Sequence, residues 1–274
     1  MIRPGLLLDV ADLDGLDTVL LDTRLTTTGP PGREQYDAGH LPGAVYVDLD
    51  DDLAGAPGPG GRHPLPEPAR FVAAMRRSGV RRDSTVVVYD AGPATAAARL
   101  WWLLRDHGHA DVLVLDGGLA AWVAAGRPVS TEPSRPPLPG DWTGVPGHLT
   151  AVDDTDAAAL PTRGVLLDVR AAERFRGDTE PIDAVAGHVP GAVNAPLTGN
   201  TDDLGRFLSP EPLRSRFASL GVRADVPVAA YCGSGVTACQ TILALRLVEL
   251  DAALYPGSWS GWISDPTRPV ATGA

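Results

Sequence analysis

Short apolar runs alternate along this chain with longer stretches of helical spacing. In the first half, the pattern predicts a strand over residues 84–89, a helix over 94–106 and a second strand over 112–115. In the second half, it predicts a buried strand over residues 226–231 and a helix over 239–247. Strands that alternate with helices in this way are typical of an α/β fold built on a parallel sheet.

The two halves share short motifs in the same order, which indicates two copies of one domain. The shared motifs are a strand ending in Asp-x-Arg at Arg24 and Arg170, Gly-His-x-Pro-Gly-Ala-Val around His40 and His188, Gly-Val-Arg before Asp83 and Asp225, and an aromatic strand end at Tyr89 and Tyr231. We predict domains over residues 1–129 and 149–274. Residues 130–148 are dense in proline and lack periodicity, so we predict a linker there. The Gly- and Pro-rich loop at 55–68 is long enough to be functional.

A cysteine follows the strand predicted at 226–231, where a glycine-containing turn leads into a helix. Residues 232–238 read Cys-Gly-Ser-Gly-Val-Thr-Ala. Ligands bind at this edge of open parallel sheets, and the amides of such a turn stabilise an anion. We expect that anion to be the thiolate of Cys232, a reactive nucleophile. A buried structural cysteine is the alternative, because free cysteines are among the most buried residues.

Composition narrows the classes of function. The chain has 274 residues, 44% of them hydrophobic, and a formal net charge of −11, which argues against nucleic acid as a partner. No apolar run approaches the ~20 residues that span a bilayer, and Asp9 interrupts the first apolar stretch, so we expect a cytoplasmic protein with no membrane partner. Cys232 and Cys239 are the two cysteines, too few for a disulfide framework or a Cys-rich zinc site.

The segment at 232–238 resembles the active-site loop of the rhodanese superfamily, in the form typical of 3-mercaptopyruvate sulfurtransferases. The resemblance extends over essentially the whole chain, and the linker is similar to that of tandem rhodaneses. It implies two rhodanese-like domains, each a parallel sheet flanked by helices, with Cys232 as the catalytic residue. It also implies an active-site loop composed of Gly233, Ser234, Gly235, Val236 and Thr237. The first copy has Asp90 where the second has Cys232, and since a carboxylate cannot carry sulfur, we predict that this copy is inactive.

The resemblance further implies an arginine that binds the donor's carboxylate. Arg174 matches the first arginine of the family segment, and the corresponding position of the first half is Thr28, so Arg174 is specific to the second half. A surface arginine is the alternative interpretation. The family usually has another arginine shortly afterwards, but residues 180–184 contain none, so we consider Arg176 as its substitute.

Histidines are candidates for a relay with Ser234. The resemblance implies such a relay in some members, with a histidine like His40. His40 and His188 share one motif, which favours a shared turn-bracing role, and residues 26–29 lack the acidic partner that the relay needs. His63 has no copy in the second half and could line a cleft between the two halves, with a solvated loop histidine as the alternative.

The sequence therefore predicts a sulfurtransferase that forms a Cys232 persulfide and passes the sulfur to a second substrate. The expected donor is 3-mercaptopyruvate, with thiosulfate less effective. The expected acceptor is cyanide or a thiol, which includes a thioredoxin-like protein. We expect no cofactor and no metal. The alternatives are a thiosulfate sulfurtransferase, a persulfide carrier without a dedicated small-molecule donor, and a Cys-x5-Arg phosphatase. The phosphatase is disfavoured because Ala238 stands where its arginine would be.

Overall fold

The structure, a computed structural model, describes residues 5–26, 29–132, 134 and 137–274. The first four residues, the comparison position Thr28 and three positions of the predicted linker (133, 135 and 136) lie outside these residues. None of the helices that the described residues form is long and apolar enough to cross a membrane.

Two compact units make up the chain, and their segments interleave in sequence. The first unit contains Met1–Gly55, Pro66–Leu149 and Thr201–Phe207, and the second contains Ala56–Leu65, Thr150–Asn200 and Leu208–Ala274. Most of the Gly- and Pro-rich loop predicted at 55–68 therefore belongs to the second unit, although it lies within the first half of the sequence. The two domains predicted from the sequence, 1–129 and 149–274, are contiguous ranges and do not include these interleaved segments.

The first unit has a five-stranded parallel sheet in the order β1-β5-β4-β2-β3. Its strands are β1 (Leu7–Leu8), β2 (Thr18–Asp22), β3 (Val45–Tyr46), β4 (Thr85–Tyr89) and β5 (Val112–Leu115). Its helices are α1 (Gly32–Ala38), α2 (Leu49–Asp52), α3 (Pro68–Arg77), α4 (Ala97–Asp106) and α5 (Gly118–Ala124), with a 3-10 turn at Val10–Asp12. The fully buried valines of β4 explain why it reads as a continuous apolar run, since a central parallel strand is covered on both faces.

The second unit repeats this arrangement with four parallel strands in the order β7-β6-β8-β9. Its strands are β6 (Val165–Asp168), β7 (Val193–Asn194), β8 (Val228–Tyr231) and β9 (Ala253–Leu254). Its helices are α6 (Asp154–Ala159), α7 (Ala172–Arg176), α8 (Pro210–Ser219), α9 (Ala238–Arg246) and α10 (Ser258–Trp262), with 3-10 turns at Leu160–Thr162 and Leu197–Asn200. The predicted α/β class and the internal repeat are thus confirmed.

Geometry shared between the units identifies the scaffold residues. In the first unit, Arg24 Nη2 donates to Asp22 Oδ2 over 2.7 Å, and in the second, Arg170 Nη2 donates to Asp168 Oδ2 over 2.6 Å. Each arginine also donates to the carbonyl oxygen of the glycine that begins the Gly-His motif of its unit. Each buried pair therefore fixes a strand end to the following loop.

The duplicated histidines have the same surroundings in both units. His40 Nδ1 lies 2.8 Å from the Tyr36 carbonyl oxygen, and its ring stacks on Tyr36 with centroids 3.9 Å apart. His188 Nδ1 lies 2.8 Å from the Phe175 carbonyl oxygen, and its ring stacks on Phe175 at 3.6 Å. This shared geometry is that of a brace between a helix and the following turn.

Candidate active site

Cys232 lies directly after β8, in the loop that leads into α9. The residue is 2% exposed, and the backbone N–H of Gly235 donates to its Sγ over 3.1 Å. Gly235 has a φ of +78°, and a Cβ at this position would lie 2.5 Å from the Pro256 carbonyl oxygen. Glycine is therefore required for the turn that points a backbone N–H at the sulfur.

The backbone of Cys232 is held by the start of α10. Its N–H donates to Ser258 Oγ over 3.0 Å, and its carbonyl oxygen accepts from the N–H of Trp259 over 2.9 Å. Ser258 Oγ in turn donates to the Tyr255 carbonyl oxygen over 3.0 Å. Ser258 is buried and has a φ of +52°, a conformation that costs a residue with a side chain about 1–2 kcal/mol. Sequence reasoning did not single out Ser258, because backbone strain has no signature in the sequence.

The segment Ala56–Leu65 brings a histidine to the loop serine. Gly58 and Gly61 exchange two backbone hydrogen bonds in a tight turn. A Cβ at Gly61 would lie 2.7 Å from the Gly257 carbonyl oxygen, so only glycine allows this close approach. Two residues later, His63 Nδ1 lies 2.7 Å from Ser234 Oγ. The histidine paired with Ser234 is therefore His63, for which the sequence did not predict this partner, whereas His40, the histidine considered for the relay, belongs to the first unit.

Arg174 lies on α7, and its guanidinium is beside the cysteine loop. A Cβ built on Gly233 would lie 3.8 Å from Arg174 Nη2 and 3.9 Å from Nη1. Arg174 Nε and Nη2 donate to Glu180 over 3.1 and 2.6 Å, and Nη2 also donates to Asp183 Oδ2 over 3.1 Å. Burial raises the pKa of Glu180, but the bonds from Arg174 and two backbone N–H groups outweigh burial, so this pKa lies below its usual value. Glu180 is therefore an ionised partner that fixes the position of the guanidinium.

A second guanidinium, which the sequence analysis missed, reaches the same loop. Arg62 Nη1 donates to Asp183, and Arg62 Nη2 lies 3.0 Å from a Cβ built on Gly233. The only signal in the sequence is its place immediately before His63. By contrast, Arg176 donates to Asp178 over 2.8 Å, with 43% of its side chain exposed. Arg62, and not Arg176, is thus the further arginine found beside the loop.

The remaining loop candidates form the walls of the turn. Val236 is fully buried and Thr237 is half-buried at the start of α9. Cys239 is buried within that helix, and its Sγ donates to the Gly235 carbonyl oxygen over 3.6 Å. The two cysteines therefore differ in position: Cys232 ends a strand, whereas Cys239 packs inside a helix.

The corresponding loop of the first unit is occupied by its own side chain. Asp90 follows β4, and its carboxylate accepts four backbone N–H bonds of 2.9–3.2 Å. The donors are Gly92, Ala94, Ala96 and Ala97. These bonds delay the start of α4 to Ala97, three residues later than the apolar pattern predicted. The loop amides thus converge on the carboxyl group of Asp90; burial raises the pKa of this group, and the four N–H bonds oppose that rise.

Comparisons with known proteins agree with this geometry. The family of rhodanese-like domains matches residues 9–125 and 153–265. A Pseudomonas aeruginosa protein named "Probable 3-mercaptopyruvate sulfurtransferase" is 50% identical over 96% of this chain and 95% of its own length. A "Thiosulfate sulfurtransferase" of Rattus norvegicus is 36% identical over 88% of this chain and 84% of its own.

A similar solved structure is the crystal structure of SseA from Escherichia coli, described as a 3-mercaptopyruvate sulfotransferase with the "Rhodanese" fold. It superposes with a TM-score of 0.81 at 31% identity, over 93% of this chain and 98% of that one. The chain therefore belongs to the rhodanese family and is a sulfurtransferase with two rhodanese-like domains.

Proposed function

We propose that the chain moves a sulfane sulfur from 3-mercaptopyruvate to a thiol or cyanide through a persulfide on Cys232. The observation that carries this proposal is that Cys232 Sγ accepts the Gly235 N–H at a strand end, with the Arg174 guanidinium beside the same loop. A thiolate is the nucleophile that sulfur transfer needs. A planar guanidinium is suited to the carboxylate of the donor.

In the first half-reaction, the Cys232 thiolate attacks the thiol sulfur of the donor. An S–S bond forms, the C–S bond breaks, and its electron pair passes to the carbon as the enolate of pyruvate. One proton moves from the donor's sulfur to that carbon, so the products are the cysteine persulfide anion and pyruvate. Total charge is the same on both sides.

Ser234 and His63 are placed to stabilise the enolate. With its proton on Nδ1, His63 donates to Ser234 Oγ across 2.7 Å. The hydroxyl proton of Ser234 is then directed to the carbonyl oxygen of the donor, where negative charge develops. A positioned donor at such an oxygen contributes about 3–4 kcal/mol to stabilising a transition state.

Backbone amides of the loop are the proposed cradle for the persulfide. The first unit supports this, because its loop amides converge on one acceptor, the carboxyl group of Asp90. We propose that the first copy is non-catalytic for the same reason, since its cradle is filled by a group that cannot carry sulfur. In the second unit, the residues that match the four donors are Ser234, Val236, Ala238 and Cys239.

In the second half-reaction, the acceptor attacks the outer sulfur of the persulfide and regenerates the Cys232 thiolate. A small thiol, cyanide or the exposed thiol of a thioredoxin-like protein has the required nucleophilicity. A net charge of −11 and two buried cysteines that form no disulfide are compatible with the reducing cytoplasm, which is the location we propose.

Thiosulfate is the second candidate donor, because a relative carries the name "Thiosulfate sulfurtransferase". Gly233 and Ser234 are not basic, and both guanidinium groups near the loop are paired with buried carboxylates. A compact dianion, whose charge lies at the reacting sulfur, therefore finds no cation in the two residues that directly follow Cys232, whereas mercaptopyruvate has a single carboxylate remote from its sulfur. We expect a higher kcat/KM for 3-mercaptopyruvate.

The test is mass spectrometry of the protein after exposure to each donor, together with steady-state transfer to cyanide. The wild type should gain the mass of one sulfur and turn over 3-mercaptopyruvate with the higher kcat/KM. Cys232→Ser should abolish both signals, while Cys239→Ser, the matched control, retains them. A sulfur gain with no turnover of any defined donor would instead indicate a carrier, and equal or higher efficiency with thiosulfate would refute the donor assignment.

A further inference from the structure

The segment Ala56–Leu65, which we call the strap, carries His63 to the cysteine loop. The structure describes all of its residues, and none of their side chains is buried. Its one buried position is Gly61, which has no side chain. Apolar burial therefore contributes little to holding the strap, and directional polar contacts decide where His63 lies.

The corresponding segment of the second half is held differently. Thr201–Phe207 follows the 3-10 turn at Leu197–Asn200 as the strap follows α2, and it belongs to the first unit. Phe207 is only 3% exposed, and its N–H donates to Asp116 Oδ1 over 2.9 Å. The first unit thus has an apolar anchor for its segment, whereas the second unit holds the strap through polar contacts.

A serine of α10 contacts both the strap and the cysteine loop. Ser260 Oγ accepts from the N–H of Arg62 over 3.0 Å, and the N–H of Ser260 donates to the Gly233 carbonyl oxygen over 2.9 Å. Arg62 directly precedes His63, and Gly233 directly precedes Ser234. One residue therefore joins the two backbones that carry the 2.7 Å contact between His63 Nδ1 and Ser234 Oγ.

The first unit has the same backbone bond without the hydroxyl. Ala120 corresponds to Ser260, and its N–H donates to the Ala91 carbonyl oxygen over 3.1 Å. The backbone bond is thus a scaffold feature common to both units, and it forms equally well with alanine at this position. The hydroxyl belongs to the unit that contains Cys232, which points to a role in the chemistry.

We propose that Ser260 is a positioning residue for sulfur transfer, whose hydroxyl docks the strap and thereby sets the distance between His63 and Ser234. This inference rests on the proposed function, in which Ser234 acts on the carbonyl oxygen of the donor. Ser260 acts through the backbone of the strap and does not touch the donor. A Cβ built on Gly61 would lie 3.1 Å from Ser260 Oγ, so glycine there lets the hydroxyl approach the strap backbone.

The first experiment is a double-mutant cycle on kcat for 3-mercaptopyruvate with Ser260→Ala and His63→Ala. Ser260→Ala alone should lower kcat by about tenfold, because a small misplacement of a positioned group can cost up to about a hundredfold. In the His63→Ala background, Ser260→Ala should change kcat by less than about twofold, since no imidazole is left to position. Ser219→Ala is the matched control, because Ser219 Oγ donates to the Arg216 carbonyl oxygen within α8, and its kcat should equal that of the wild type.

The second experiment measures docking of the strap in the absence of any donor. Hydrogen exchange at the Arg62 amide should be about ten- to a hundredfold faster in Ser260→Ala than in the wild type, because this amide loses its acceptor. Exchange at the Gly61 amide should be unchanged, because that amide donates to the Gly58 carbonyl oxygen within the strap over 2.9 Å. Circular dichroism establishes that the variant is folded, as Ala120 in the first unit leads us to expect.

Failure of this inference and failure of the proposed function give different results. The role of Ser260 is overturned by an unchanged kcat in Ser260→Ala, by an unchanged exchange rate at Arg62, or by a loss of kcat that persists in full in the His63→Ala background. An equal loss of kcat with thiosulfate would also overturn it, because thiosulfate has no carbonyl for Ser234 to contact. If the wild type fails to use 3-mercaptopyruvate, the proposed function fails, and exchange at Arg62 still decides whether Ser260 holds the strap.

Discussion

Ser258 offers a test of how the catalytic loop is held. It adopts a φ of +52°, and the corresponding residue of the first unit is Gly118, with a φ of +53°. The equivalence follows from the next residue in each unit: the N–H of Leu119 donates to the Asp90 carbonyl oxygen, and that of Trp259 donates to the Cys232 carbonyl oxygen. The second unit therefore has a strained serine where the first unit has an unstrained glycine.

Two substitutions separate the strain from the hydrogen bond. Ser258→Ala retains the strain and leaves the buried Cys232 N–H without its acceptor, which should destabilise the protein by about 1–3 kcal/mol. Ser258→Gly loses the same acceptor but relieves about 1–2 kcal/mol of backbone strain. About 0.5–1 kcal/mol of this gain in stability is lost again, because glycine has greater conformational freedom in the unfolded chain. We therefore expect the stability order wild type, Ser258→Gly, Ser258→Ala.

The assay combines urea unfolding with single-turnover persulfide formation. Both variants should slow the formation of the persulfide to a similar extent, since both release the Cys232 amide. Faster hydrogen exchange at that amide should accompany the slower chemistry. The reasoning is refuted if Ser258→Ala is as stable as the wild type, or if Ser258→Gly retains full activity while Ser258→Ala loses it. The second result would mean that backbone shape, and not the hydrogen bond, positions the cysteine.

Two further predictions concern Asp90 and His63. Asp90→Asn places an NH2 group against the N–H groups of Ala96 and Ala97, so it should cost about 2–6 kcal/mol of stability in urea unfolding. The kcat of the folded protein should stay unchanged, and a loss of kcat would show that the first copy takes part in the chemistry. His63→Ala should lower kcat for 3-mercaptopyruvate by about a hundredfold, because it removes the group bonded to Ser234. Thiosulfate has no carbonyl, so a parallel loss of thiosulfate transfer would contradict the role assigned to His63.

The sequence alone was sufficient for the fold class, the repeat and the position of the cysteine. Apolar runs such as Val112–Leu115 identify buried strands because a central parallel strand is covered on both faces. The duplication also indicated which residues are structural. Arg24 and Arg170 each form a buried ion pair with the aspartate two residues before them, one pair in each unit. The place of Cys232 after β8 follows from local rules that link a strand, a glycine turn and a helix.

Tertiary structure decided which distant side chains meet that cysteine. Ala56–Leu65 belongs to the second unit although it precedes most of the first, so sequence order does not indicate that His63 and Arg62 lie beside the cysteine loop. The sequence also gave no indication of the backbone strain at Ser258, because the φ value of a serine depends on the surrounding contacts. The periodicity of apolar residues predicts which face of a helix or strand is buried, because each buried position favours an apolar side chain. The contacts that join Arg62, Asp183 and Arg174 depend on chain reversals between distant segments, which periodicity does not encode.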